Sequence, residues 1–132
     1  IYYRLLRTKK TEMKTILLLA MLFSFADPIP IIVKGTVSYY GQHWTGRKTA
    51  SGETFYADSL TCAHKTYKFG TLLKVTNLKN DSIIFVKVND RLPKSSHFIA
   101  DLSYGCAKKL NFVKSGVISV TLEIVDTVAI NK

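Results

Sequence analysis

The sequence is short of cysteine, of acid and of long apolar runs, and each shortage excludes something. Only two cysteines occur in 132 residues, Cys62 and Cys106. Neither lies near the end of the apolar stretch at 15–26, so nothing there supports a lipid-modified cysteine. Two cysteines can pair in an oxidising compartment or rest as small buried thiols, and spacing alone leaves both open. Cys62-x-His64 is not a zinc spacing and no second ligand pair accompanies it, so no metal or other cofactor is expected. The longest apolar run, TILLLAMLFSFA, falls short of the roughly 20 residues a membrane span requires. There are no internal repeats and no low-complexity segments. Acid is scarce: nine Asp and Glu stand against nineteen Lys and Arg, a formal charge of +10.

What is present starts with that apolar run. It follows Met13-Lys14 and ends on the small residues Ser24 and Ala26, the pattern of a secretory signal peptide. Residues 1–26 are therefore expected to be an N-terminal extension and signal, 27–34 a leader, 35–126 the domain and 127–132 a tail. Removing 1–26 takes away five basic residues and Glu12, which leaves about +6. An exported basic domain suits an anionic polymer, although the lysines are spread along the chain as an ordinary soluble surface would have them.

From residue 35 onward the chain reads as strands and turns. GTVSYYG (35–41), GTLLKVTN (70–77), SIIFVKVN (82–89) and VISVTLEIV (117–125) alternate, and the short LKND link makes the middle two a hairpin. Residues 101–112, DLSYGCAKKLNF, predict a helix capped by Asp101 or Ser103, with Gly105 a mild weakness. A second helical turn is expected at LTCAHKT (60–66). Several short strands and one or two helices suggest a small, mostly β, closed barrel, because closure removes exposed strand edges.

Polar segments interrupt this framework. GRKTASGETF (46–55) carries Glu53, LTCAHKT carries His64, VNDRLP carries Asp90 and IADLS carries Asp101. Asp90 falls in phase with Ile84, Val86 and Val88, which aims a carboxylate toward an apolar side. An apolar wall favours the protonated form that an acid catalyst uses. Other readings of the same residues are structural: Asp90 as the cap of its own turn, Glu53 as a loop acceptor, His64 as a satisfied histidine. Asp101 reads as a helix cap or first-turn charge rather than a catalyst. Tyr39, Tyr40, Trp44, Phe55 and Tyr56 are candidate platforms for sugar faces, with Tyr40 and Trp44 foremost.

Taken in order, VSYYG, TGRKTASGETF, LTCAHKTYKFGTLLKVTNL, VKVNDRLP and IADLSYGCAKKL resemble the rare lipoprotein A family of double-psi β-barrels, from Gly35 to Val125. The resemblance implies a six-stranded double-psi barrel and a lytic transglycosylase that cleaves peptidoglycan glycan strands, preferably stripped of peptide, to 1,6-anhydro-muramyl ends. It implies Asp90, Glu53 and His64 as catalytic residues, and Tyr40, Trp44, Thr49, Ser51, Asn89 and Arg91 as substrate-binding. Asp90 would act as acid first and base second. The implied setting is periplasmic or at the cell envelope. The partners would be glycan strands and cell-division proteins, with no nucleic acid and no stable membrane anchor once the signal is cleaved. The same fold also occurs in expansins, so a non-catalytic wall-binding module is the alternative. The family's Asn-Asp-Arg-Gly-Pro is Asn-Asp-Arg-Leu-Pro here, and a left-handed glycine at that place would leave Leu92 strained.

Overall fold

The structure, a computed structural model, describes residues 29–126. The expected signal peptide and tail lie outside them. Six strands form a closed barrel: β1 (Ile32–Tyr39), β2 (Thr61–His64), β3 (Leu72–Asn77), β4 (Ile83–Arg91), β5 (Ala100–Leu102) and β6 (Val117–Asp126). Their order around the barrel is β1-β5-β2-β4-β3-β6, with β1/β5 and β2/β4 parallel and the remaining pairs antiparallel. Among the described residues there are also one helix, α1 (Tyr104–Lys109), and a 3-10 turn at Gln42–Trp44. β1 takes in residues 32–34, which the sequence reading gave to the leader.

Alternation builds most of the wall. Leu73 and Val75 of β3, Ile84, Val86 and Val88 of β4, and Val120 and Leu122 of β6 are buried in the core. The β3–β4 hairpin turns on Asp81, the backbone of which is left-handed at φ 59°. Asn77, buried at the end of β3, donates its amide to the Leu110 carbonyl at 2.8 Å and so ties α1's C-terminal end to the barrel.

Two expectations are corrected. Residues 60–66 do not form a helical turn: Thr61–His64 is strand β2, held between β4 and β5. All four residues are buried, so the strand has no alternation to show. The helix is also shorter than 101–112. Ser103 is its cap, accepting from the Cys106 N–H, while Asp101 lies in the preceding strand β5. Cys62 and Cys106 are both fully buried and both free thiols.

One irregularity sets up the site. Cys62 pairs with Val88, but the next residue, Ala63, pairs with Asp90, so β4 uses two residues against one of β2. Val88 and Asn89 are consequently both buried and the alternation breaks. Asp90 leaves the core phase it has in the sequence and is half-buried at the barrel's rim.

Candidate active site

Asp90 lines an open groove of about 340 Å³. Tyr40, Trp44 and Phe55 form its aromatic side, Leu92 and Pro93 its aliphatic edge. Tyr40 packs on Phe55 with ring centroids 4.7 Å apart, and its hydroxyl is buried without a hydrogen-bond partner among the described residues. Burial first, and then the charge of Asp90, push that phenol well above its ordinary value. Trp44 is 41% exposed, and the Arg47 guanidinium sits 4.6 Å from its ring centroid. Tyr39, by contrast, is half-buried and packs against the core: its hydroxyl donates to the Val113 carbonyl and its ring meets Phe112 edge-on. Tyr56 is exposed and lies away from the groove lining.

The loop at 46–55 holds Asp90 in place. The Lys48–Thr54 bridge closes it, the Gly52 N–H donates to the Thr49 carbonyl, and Gly52 takes φ +86°, which suits glycine. The Ser51 N–H then donates to the Asn89 carbonyl, and the Ala50 N–H donates to Asp90 Oδ1 at 2.9 Å. The Arg91 N–H donates to the same oxygen at 2.8 Å. Both of these bonds to the Asp90 carboxyl fall on Oδ1, and the side chain lines the groove.

Several residues expected at the site work around it instead. Glu53 bonds Lys87 Nζ at 2.9 Å and the Asn89 side-chain amide at 3.2 Å. Those bonds, Lys87's foremost, hold its carboxyl below the usual range. It does not line the groove and makes no bond to Asp90. Thr49 and Ser51 bond one another at 2.9 Å and brace the loop, and Asn89 is buried beneath it. Of the residues expected to bind substrate, Tyr40, Trp44 and Arg91 do line the groove. Arg91 lies over the Phe69 ring, its guanidinium carbon 3.9 Å from the centroid. Leu92, next in line, is not left-handed; its N–H donates to the His64 carbonyl, so the leucine stands without strain where a glycine was expected.

His64 is committed elsewhere. Its ring stacks on Tyr67 at 3.7 Å, and Nδ1 accepts the N–H groups of Thr66 and Tyr67. With Nδ1 an acceptor, the neutral ring is the form the fold selects, and it reaches neither Asp90 nor Glu53. Burial, with Arg91 and Lys65 nearby, pulls its pKa down to about 4. The unfolded chain takes up this proton near pH 6.5 and the folded one only near 4, so stability falls as the pH drops between these values. The expected loss is about 1–3 kcal/mol. Urea unfolding at pH 7.5 and 4.5 checks it: His64→Asn, whose side-chain oxygen can accept the same two N–H groups, should lose that pH-dependent step.

Asp101, expected as a cap, lines the groove. Asp101 and Asp90 are both Cα partners of Ala63, from β5 on one side and β4 on the other. Strand spacing thus places the two aspartates about 10 Å apart along the sheet, with only a methyl group between them. Ser38 of β1 donates its hydroxyl to Asp101 Oδ1 at 2.8 Å. Among the described residues no three His, Cys, Asp or Glu side chains gather as a metal site.

This geometry has relatives. The family model described as "Lytic transglycolase" matches residues 32–122. The chain is 45% identical over 103 residues to the probable endolytic peptidoglycan transglycosylase RlpA of Synechocystis, covering 78% of this chain and 32% of that protein. It is also 45% identical over 91 residues to the endolytic peptidoglycan transglycosylase RlpA of Campylobacter jejuni, covering 69% of this chain and 33% of that one. The chain therefore spans about a third of the length of these relatives. Among solved structures, the Streptomyces papain inhibitor superposes with a TM-score of 0.61 at 24% identity, covering 76% of this chain and all of that one. A Clavibacter michiganensis expansin mutant in complex with cellohexaose gives 0.60 at 19%, covering 73% of this chain and 51% of that one. These structures share the double-psi barrel; the matched family model and the identity to the RlpA proteins decide the affiliation, and the chain belongs to the lytic transglycolase family.

Proposed function

We propose that this domain is a peptidoglycan lytic transglycosylase acting outside the cytoplasm, at the cell envelope. It cleaves the bond between N-acetylmuramic acid and N-acetylglucosamine and leaves a 1,6-anhydro-muramyl end. The observation that carries this reading is the Asp90 carboxyl, held through one oxygen by two backbone N–H groups and lining an open groove with aromatic and cationic walls. The match to proteins named endolytic peptidoglycan transglycosylases supports the substrate.

The chemistry follows from the arrangement. A sugar strand lies along the groove against Trp44 and Tyr40, where apolar ring faces meet the C–H faces of the pyranose. Two backbone N–H groups fix Asp90 Oδ1, so Oδ2 meets the sugar in one orientation without first being ordered. The muramic C6 hydroxyl is the nucleophile, so no water needs activating. The proton traffic runs through carboxyl groups, of which Asp90 is the indispensable one. Arg47 and Arg91 give the groove positive charge. That charge suits strands stripped of peptide, in which the muramic lactyl group is a free carboxylate. The biological setting in this reading is wall remodelling or daughter-cell separation, in company with cell-division proteins.

Digestion of intact and peptide-free sacculi, with the products read by mass, tests the proposal. Release of 1,6-anhydro ends, faster from the peptide-free material, is the expected result. Reducing ends formed by added water would make it a hydrolase. Retention on sacculi with no new ends would make it an expansin-like binding module.

A further inference from the structure

We infer that Asp101 is the second catalytic carboxyl group of this groove, the proton donor to Asp90's proton acceptor, and that Ser38 is its positioning residue. The inference rests on the transglycosylase reading and divides its proton work between two side chains.

Placement is the first support. Three neighbouring strands bring Asp101, Ala63 and Asp90 into one row across the groove. Ala63 is 4% exposed and carries only a methyl group, so nothing of its side chain separates the two carboxyls. A larger residue at that position would fill the space between donor and acceptor that the muramic C1, with its bridging oxygen and C6 hydroxyl, must occupy.

Environment is the second support, and it differs between the two. Asp90 Oδ1 receives two backbone N–H groups, donors that match a charged oxygen. Asp101 receives no backbone donor among the described residues, only the Ser38 hydroxyl. Burial pushes the Asp101 carboxyl up, the Ser38 bond draws it down, and the facing Asp90 charge raises it again. The other groups facing it are the Tyr40 phenol after β1 and the buried Cys62 thiol of β2, with Arg47 and Arg91 across the groove. The carboxyl whose protonated form burial favours is the donor, and the carboxyl held by two backbone N–H groups is the acceptor.

The step balances without water. Asp101 gives its proton to the bridging oxygen as the muramic C1–O bond breaks and its electron pair goes to that oxygen. The C6 oxygen bonds to C1, and the C6 hydroxyl proton passes to the Asp90 carboxylate. After the products leave, Asp90 returns that proton to Asp101 through solvent. Ser38 holds Asp101 Oδ1, so the proton resides on Oδ2.

The test measures release of anhydro ends from peptide-free sacculi across pH, with sacculus binding and thermal unfolding followed alongside. Asp101→Asn is expected to lower turnover about 100-fold with binding retained. Ser38→Ala should move the alkaline limb of the profile to higher pH, because removing a donor to the carboxylate raises the pKa of the acid. A merely structural Ser38 would scale the whole profile down and leave the limb in place. Should Asp101→Asn fail to fold, the Ser38→Ala profile decides alone. An active wild type with Asp101→Asn within about threefold of it, or an unmoved limb in Ser38→Ala, overturns the inference and leaves the transglycosylase reading standing. A wild type that binds sacculi and releases nothing overturns that reading and the inference with it.

Discussion

Asp90→Asn is expected to lower the release of anhydro ends about 1,000-fold while leaving the fold intact, a loss equivalent to about 4 kcal/mol on the barrier. The substitution is informative because of how Asp90 is held. Its Oδ1 accepts the Ala50 and Arg91 N–H groups, and an asparagine Oδ1 can accept both in the same geometry, though more weakly than a charged oxygen. The loop at 46–55 stays pinned, thermal unfolding stays within a few degrees, and sacculus binding persists. What asparagine cannot do is exchange a proton with the sugar. If Asp90 only organised its turn, asparagine would serve as well and activity would survive. Asp90→Ala removes the loop's anchor as well as the proton, so it should cost stability in addition and cannot separate the two roles.

The second large effect concerns the helix behind the groove. Gly105 lies inside α1, and a Cβ built on it would stand 2.5 Å from the Asp58 carbonyl oxygen and 2.8 Å from its carbon. These are backbone atoms, with no flexible side chain to swing aside. The Gly105 N–H also donates to the Ala57 carbonyl at 2.8 Å, so helix and loop are clamped at this point. Helix propensity taken alone predicts that Gly105→Ala stabilises by about 1 kcal/mol. The contact predicts the opposite sign, a net loss of about 2–3 kcal/mol, as overpacking gives where the backbone must shift. Urea unfolding distinguishes them by direction alone. Since the displaced loop follows Phe55, a wall of the groove, activity should fall as well.

That glycine shows what the sequence could and could not reveal. In the pattern it is a blemish in a helix; in the fold it is the point where a loop touches the helix backbone, a tertiary fact without a local signature. Strands β3, β4 and β6 were legible because one face is core and the other solvent. β2 was not, because it is buried on both faces, and β5 has only three residues in which to alternate. The barrel's closure was legible as an edge problem, whereas its six-stranded double-psi character was implied only by the resemblance to a family, and its strand order was not legible at all.

The site divides along similar lines. Asp90 stood out because a carboxylate continued an apolar phase, yet a bulge no pattern announces takes it out of the core and onto the rim. Glu53 and His64 were expected beside it. Closer partners hold them instead: Lys87 and Asn89 for the glutamate, two backbone N–H groups and the Tyr67 ring for the histidine. Asp101 was hidden by ambiguity, since Asp-Leu-Ser before a helix offers two caps and the structure uses the serine. The signal that could have found it is Asp101's place two residues ahead of the true cap, in a strand rather than a first turn.

One measurement bears most directly on the whole account: the crystal structure of Asp90→Asn with a glycan fragment spanning one scissile bond. The sugar should lie across Trp44 and Tyr40 above Ala63, with its bridging oxygen within hydrogen-bond reach of the side chain at 101 and its muramic C6 hydroxyl within reach of the side chain at 90. A fragment seated at the barrel's opposite end, or one whose bridging oxygen points into solvent away from both side chains, would contradict it.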